Sequence, residues 1–407
     1  MADKAFEIAF SGTPVEADFY ADVISLSVEE GGDEASTAQL RLILRKNSDG
    51  SWTHLDDDRF APFTPMSASI GFTSSGGLAA ALGALGGGSG NDGLDPVFTG
   101  YVTDVEVHID ADPEKSVLDV TCTDTCALLG LEDKIATWPN LSDSDIVTQI
   151  VGAYGVDVQA DSTSPVHQDD TTTTVQRATD LQFVRMLARR NGLEFYFETD
   201  KSSHSVVAFL KAPQLQGTPQ PDLAIAFDDA SNMSSFTAHV AAQRPLNAKT
   251  AQVDVAGGST NEAQVADASL DKLGATDLDA LIGSVISGLA TPKDAPAQIL
   301  VLGAPTSDQG ELKAIAQAVR DESDWFIDAS GEINSDAYQT VLRPRRLVLV
   351  KGAGSQYSGK YYVTHVSHRI APEGAYTQSF RARRNARDLD GSESFGASAL
   401  ALAVPGL

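Results

Sequence analysis

The sequence predicts a mainly β protein with α+β insertions: two related small β-barrel domains plus a helix-containing domain. Three observations carry this. Apolar and polar residues alternate along much of the chain, the period of a half-buried strand. Two helical stripes interrupt the alternation before the midpoint. One strand–turn–strand pattern occurs twice, with Val102-Thr103-Asp104-Val105 lying over Val363-Thr364-His365-Val366. Each copy has a glycine shortly before it, a proline-containing turn after it and a returning strand, and such repetition defines architecture.

Residues 1–125 read as the first barrel. Phe6, Ile8 and Phe10 alternate with small or charged residues, as do Ile24, Leu26 and Val28, and Leu40, Leu42 and Leu44. This is a meander with one buried face. Residues 71–93 hold nine glycines and read as a long mobile hairpin loop, because glycine-rich chain is costly to order. Gly86 to Gly90 lack the Lys-Ser/Thr that would make a phosphate loop.

Residues 126–215 change texture and read as the α+β domain. Ser142 and Asp145 form a carboxylate variant of the capping box ahead of an Ile146, Val147, Ile150, Val151 stripe, and Gly155 ends that helix. Thr179 and Gln182 predict a second box ahead of Leu181, Val184 and Leu187; Asn191-Gly192 stops it, and Leu193 to Glu198 returns as a strand. Arg185, Arg189 and Arg190 then fall on or beside a solvated or salt-bridged helix face.

The second barrel is expected over 216–390, with a helical insertion at 257–330 marked by Leu278 to Leu289 and Leu312 to Val319. Its last strands are Leu347 to Lys351, Tyr361 to Ile370 and Tyr376 to Arg383. In the second of these, Tyr362, Thr364, Val366, His368 and Ile370 share one face. Residues 391–407 read as a flexible tail.

The net charge is −27, from 56 acidic and 29 basic residues, which argues against stable nucleic-acid binding. Asp outnumbers Glu 40 to 16 and there are 12 lysines, a balance resembling a halophile's surface, so salt is expected to relieve like-charge repulsion. Met1 to Lys4 leads directly into a strand, so no signal peptide is expected, and the absence of a long apolar run predicts no membrane span. Cys122 and Cys126 have no further cysteine to complete a zinc site and read as buried thiols. Asp56, Asp57 and Asp58 lack EF-hand spacing. His365 and His368 face opposite sides of a strand and cannot share a metal from it. There is no G-x-S-x-G and no H-E-x-x-H. No catalytic, cofactor or metal residue is assigned, and the chain is expected not to be an enzyme.

The stretch from Gly359-Lys360-Tyr361-Tyr362-Val363 to Arg383-Arg384-Asn385 resembles the C-terminal barrel of tail hub proteins. These are the phage late control protein D family, the VgrG spike hubs and the hubs of contractile injection systems. The helix, Asn-Gly stop and aromatic strand from Ala178 to Glu198 resemble the same family. The resemblance covers most of residues 1–390, and the order of its motifs is its specific part. It implies tail-tube-like barrels and a structural baseplate hub, a homotrimer joining a hexameric tail tube to a trimeric spike around a central channel. Spike protein, tube or tube-initiator, baseplate wedge and tape measure proteins are the implied partners. The implied setting is a virion tail or injection-system particle assembled in the cytoplasm. A baseplate-associated cell-wall hydrolase and a secreted β-rich adhesion protein are the alternatives.

Overall fold

The computed structural model describes residues 3–32, 34–73, 94–167, 173–254, 258–287, 298–301, 308–371 and 375–393. Most of the glycine-rich loop expected at 71–93, and most of the tail expected from 391, lie outside the described residues. The chain is mainly β and divides into two compact units. The first holds residues 1–212, 339–343 and 365–378; the second holds 213–338, 344–364 and 379–407. The helix-containing segment from 126 thus belongs to the same unit as the first barrel. So do residues 365–378, from the far end of the sequence.

In the first unit, β1 (Asp3–Phe10), β2 (Thr13–Pro14), β3 (Val23–Gly31), β4 (Thr37–Ile43), β5 (Pro65–Thr73), β6 (Leu94–His108) and β7 (Val117–Asp124) form an antiparallel sheet. Its order is β3-β4-β7-β6-β5-β1-β2. One face closes over a core of Phe6, Ile8, Leu26, Leu40, Val102 and Val120. Alternation predicted this face with one exception. A register shift between Val23 and Ser25 puts Val23, not Ile24, in the core, as a bulge does when it adds a residue to one strand.

The same unit carries β8 (Asp133–Trp138), β9 (Asp157–Ala160), β10 (Thr174–Thr179), β11 (Glu194–Thr199) and β12 (Val206–Lys211). β8 pairs with β10, and β11-β12-β9 form a second small sheet. Both predicted helices are present, Asp143–Gly152 and Asp180–Arg190. Ser142 and Asp145 exchange both bonds of a capping box. At the second helix only the Thr179 half forms, its hydroxyl accepting from the Gln182 N–H at 3.2 Å. Ile146, Val147, Val184 and Leu187 pack with Phe195 and Leu210 in a separate core.

The second unit contains β13 (Gln220–Ala224), β14 (Met233–Val240), β15 (Asn247–Asp254), β16 (Ser259–Val265), β17 (Thr276–Asp277), β18 (Gln298–Val301), β19 (Ile327–Asn334) and β20 (Leu347–Lys351). Further along come β21 (Gly359–Ile370), β22 (Tyr376–Arg384) and β23 (Ala386–Arg387), the first two shared with the first unit. The predicted insertion contains the helices Leu278–Ser287 and Gln309–Asp324, but it also adds strands, since β16 and β18 both pair with β15. Two guanidiniums are almost fully buried here. Arg384 donates to the carbonyls of Leu273, Ser358 and Asp388, and Arg320 to Ala266 O and to the Asp279 and Asp324 carboxylates. Among the described residues, no helix is long and apolar enough to cross a membrane.

The repeat extends well beyond four residues. Strands β3-β4-β7-β6-β5 of the first unit are neighbours in that order. Strands β14-β19-β22-β21 follow the same order, with β20 on β21. Both sets also occur in the same sequence order. Thr103 and Thr364, which the sequence overlay superposes, each donate to a carbonyl of the returning strand, Thr121 O and Arg381 O, both at 3.2 Å. The copies part at the next strand, where β1 lies antiparallel to β5 but β13 lies parallel to β20.

Candidate functional site

The sheet of the first unit has a second face, and it is polar. Side chains directly opposite each other in a ladder share a face, so the registers define rows across five strands. One row is Arg369, Ser27, Gln39, Thr121 and Asp104; another is Ser25, Arg41, Asp119 and Glu106. A third holds Ser367, Glu29, Thr37, Thr123 and Tyr101. Short hydroxyls and charged side chains share these rows, and the charges tie to one another. Arg41 lies 3.6 Å from Asp119, Ser367 donates to Glu29 at 2.7 Å, and His365 sits 3.2 Å from Glu29. Asp104 and Glu106, toward the β6 side, leave the face net acidic.

Beneath this face lies a buried polar cluster. Glu30 accepts from Arg343 at 2.8 Å through one oxygen and from His368 Nε2 at 2.9 Å through the other. The His368 ring, fully buried, has Tyr376 Oη 2.8 Å from Nδ1. Arg343 also donates to Pro96 O at 2.9 Å. Burial works against the Arg343 charge, and the carboxylates of Glu30, Glu198 and Asp95 more than restore it, raising its pKa. These contacts stitch the segments around 343 and 365–378 to strands three hundred residues earlier.

A small cleft with room for little beyond water is lined by Phe98, Thr99, Asp124, Phe197, Glu198 and Arg343. Burial pushes the Asp124 carboxyl up. Both its oxygens are engaged, with the backbone N–H groups of Ser36 and Cys126 donating at 2.8 Å each. Asp124 therefore holds chain segments together, as Glu30 does.

A third cluster closes the α+β segment. Asp143 accepts from Arg190 through both oxygens, from Asn191 at 2.6 Å and sits 3.1 Å from His167 Nε2. Burial opposes its ionisation, yet the bonds from His167 and Arg190 and the Arg190 charge hold the carboxyl at about 2. A carboxyl held below its unfolded value contributes stability above the unfolded pKa, which is lost as pH falls through the folded one. The unfolding free energy of wild type is therefore expected to exceed that of Asp143→Asn by roughly 2 kcal/mol or more above pH ~4. The gap should narrow toward pH ~2. Denaturant titrations across that range check this, and a gap constant with pH would contradict it.

The structure scatters the residues singled out in the sequence. Asp57 caps the turn Asp58–Phe60 and pairs with Arg59, while Cys122 and Cys126 are buried and not joined in a disulfide. His365 meets Glu29 on the polar face and His368 meets Glu30 in the core. Arg190 serves Asp143, and Arg185 lies 3.9 Å from Cys126 Sγ. Among the described residues, no three His, Cys, Asp or Glu side chains are placed to hold a metal. The Glu30–Arg343–His368 cluster escaped sequence reading, although period-two alternation did put His368 on the buried face with Val366 and Ile370.

This architecture has solved counterparts. The 43 kDa tail protein of prophage MuSo2 from Shewanella oneidensis is similar at a TM-score of 0.61 and 13% identity, over 95% of this chain and 100% of that one. A tail protein from Neisseria meningitidis MC58 gives 0.60 at 9% identity, over 94% and 97%. An Escherichia coli component of the type VI secretion system, itself described as structurally similar to T4 tail proteins gp27 and gp5, gives 0.53 at 14% identity, over 93% and 76%. At these identities the likeness is one of fold, and it is the tail-protein fold that the sequence resemblance implied. No curated protein matches the chain by sequence. The family model described as the Alg8 N-terminal domain matches residues 87–372, more than half of the chain, and this protein therefore belongs to the Alg8 N-terminal domain family.

Proposed function

We propose that this protein is a structural baseplate hub that joins a hexameric tail tube to a trimeric spike around a central channel. The observation that carries this is the repeated five-strand module. Three chains with two modules each supply six similar barrels, so one ring can offer near-sixfold contacts to a tube and threefold contacts to a spike. The shared fold with phage tail proteins and a type VI secretion component supports the same reading. The polar face of the first module suits a channel wall, because hydroxyls and net negative charge give a passing polyanion little to bind. Tube or tube-initiator, spike, wedge and tape measure proteins are its proposed neighbours, in a virion tail or injection particle assembled in the cytoplasm. Its role is structural rather than catalytic, a reading supported by the buried carboxylates of Glu30, Asp124 and Asp143, each engaged in holding chain segments together.

The test is co-assembly. The purified chain, mixed with the spike and tube proteins of its own particle, is expected to form a complex containing three copies by native mass measurement. A single copy per particle would overturn the reading, and clearing of a peptidoglycan suspension by the chain alone would favour a hydrolase instead.

A further inference from the structure

The two copies of the repeated module also differ in how far β6 and β21 are covered. The overlay places Val366, His368 and Ile370 of β21 over Val105, Val107 and Ile109 of β6. In β21 these positions are 0%, 0% and 4% exposed. In β6 and just beyond its end they are 40%, 43% and 50% exposed. The side chains on the β6 side are as apolar as their counterparts, so composition is not the cause. The cause is a strand. Residues 365–370 pair antiparallel with β3, His368 facing Val28 and Ile370 facing Leu26. On β6, pairing with β5 stops at Tyr101, and the last such backbone bonds run between Val102 and Phe63 and Thr64. Beyond that point β6 has only β7 beside it among the described residues.

The strand that corresponds to β3 in the other module is β14. It pairs with β19 as β3 pairs with β4, and among the described residues its other edge is open. Its inward side chains, Phe236, Ala238 and Val240, are half-buried, whereas Leu26 and Val28 of β3 are fully buried. The strand carries no carboxylate, so nothing on it repels Asp104 and Glu106 of β6.

We infer that residues 104–109 of one copy of this chain pair antiparallel with β14 of a second copy, repeating between chains the joint that 365–370 and β3 make within the first unit. This rests on the hub reading for ring closure at three, because a joint between two different edges closes a ring only when the rotation allows. The joint adds backbone hydrogen bonds to two bare edges and covers Phe63, Val105, Val107 and Ile109.

The experiment uses the full chain with Val105→Lys and Val107→Lys together. Both positions are exposed in the single chain, so the melting temperature of the monomer should not change. Native mass is expected to fall from oligomer to monomer. In a second arm, Val107→Cys and Ala238→Cys are placed in separate chains and mixed under oxidant. A disulfide between the two variants is expected, well above the yield from either alone. A double-lysine variant that still oligomerises, or a mixture without the cross-link, would overturn the joint while leaving the hub reading to its own co-assembly test. A wild-type chain that stays monomeric at the highest attainable concentration would also overturn it as a self-sufficient joint, and the hub reading would survive only if spike or tube restored three copies.

Discussion

Arg343→Met is expected to destabilise the first unit by about 3–5 kcal/mol, the range for removing one partner of a buried ion pair. The size follows from what is left behind. Glu30 is 5% exposed, and losing the guanidinium at 2.8 Å leaves its carboxylate in the core, still bonded to His368 but without its buried counter-charge. Methionine fills a similar volume without the charge, so the loss reports electrostatics more than a cavity. Adding Glu30→Gln should recover part of the stability, because an uncharged amide costs far less to bury than an orphaned carboxylate. The protein's own charge pattern sharpens the expectation, since Glu198 and Asp95 also lean on Arg343. Denaturant unfolding read by a probe in the first unit measures both variants. A single-variant cost below about 1 kcal/mol would show that the pair contributes little beyond its own desolvation.

Gly352→Ala should be of comparable severity in the second unit, at about 3–5 kcal/mol, because two separate costs add. The residue has φ +83°, and an added Cβ would lie 1.8 Å from the Ile225 carbonyl oxygen. That carbonyl cannot simply yield, since the Ile225 N–H donates to Lys351 O at 3.1 Å and so extends the pairing of β13 with β20. Gly50→Ala is the internal control. It has φ +91° with nothing within 4 Å, so it carries the conformational cost alone, about 1–2 kcal/mol. Equal melting shifts for the two alanines would mean that β13 gives way freely.

Local order was legible in the sequence wherever a period and a stop signal coincided. Leu347–Lys351 is a strand with the predicted ends, and Ser142 with Asp145 forms the predicted box. Arg384 was legible in principle, because it continues the Phe380, Ala382 alternation onto the buried face, and burial of a guanidinium follows from that register alone. Its partners were not, for Leu273 O and Asp388 O become acceptors only once distant loops are placed. The same holds for His368 and Glu30, 338 residues apart, whose meeting depends on β21 lying beside β3. Parallel pairings such as β9 with β12 and β15 with β18 leave no turn signature between them, so alternation could mark these strands but not their neighbours. The repeat itself was visible as four residues because side chains have diverged while strand order has not.

The half of β6 that has only β7 beside it among the described residues poses a problem for the newly made chain. A strand edge beside exposed Val105 and Val107 is the kind of template on which unfinished chains stick to one another at random. Asp104, Glu106 and Asp110 are interleaved with those valines or follow shortly after them. In a lone chain they act as gatekeepers, keeping two such edges apart by repulsion before any ordered neighbour arrives. A pairing of β6 with β6 would set these carboxylates against one another, whereas an uncharged edge would not. The acidity of this segment thus disfavours pairing of β6 with itself, while an edge without carboxylates, such as Met233–Val240, meets no such repulsion.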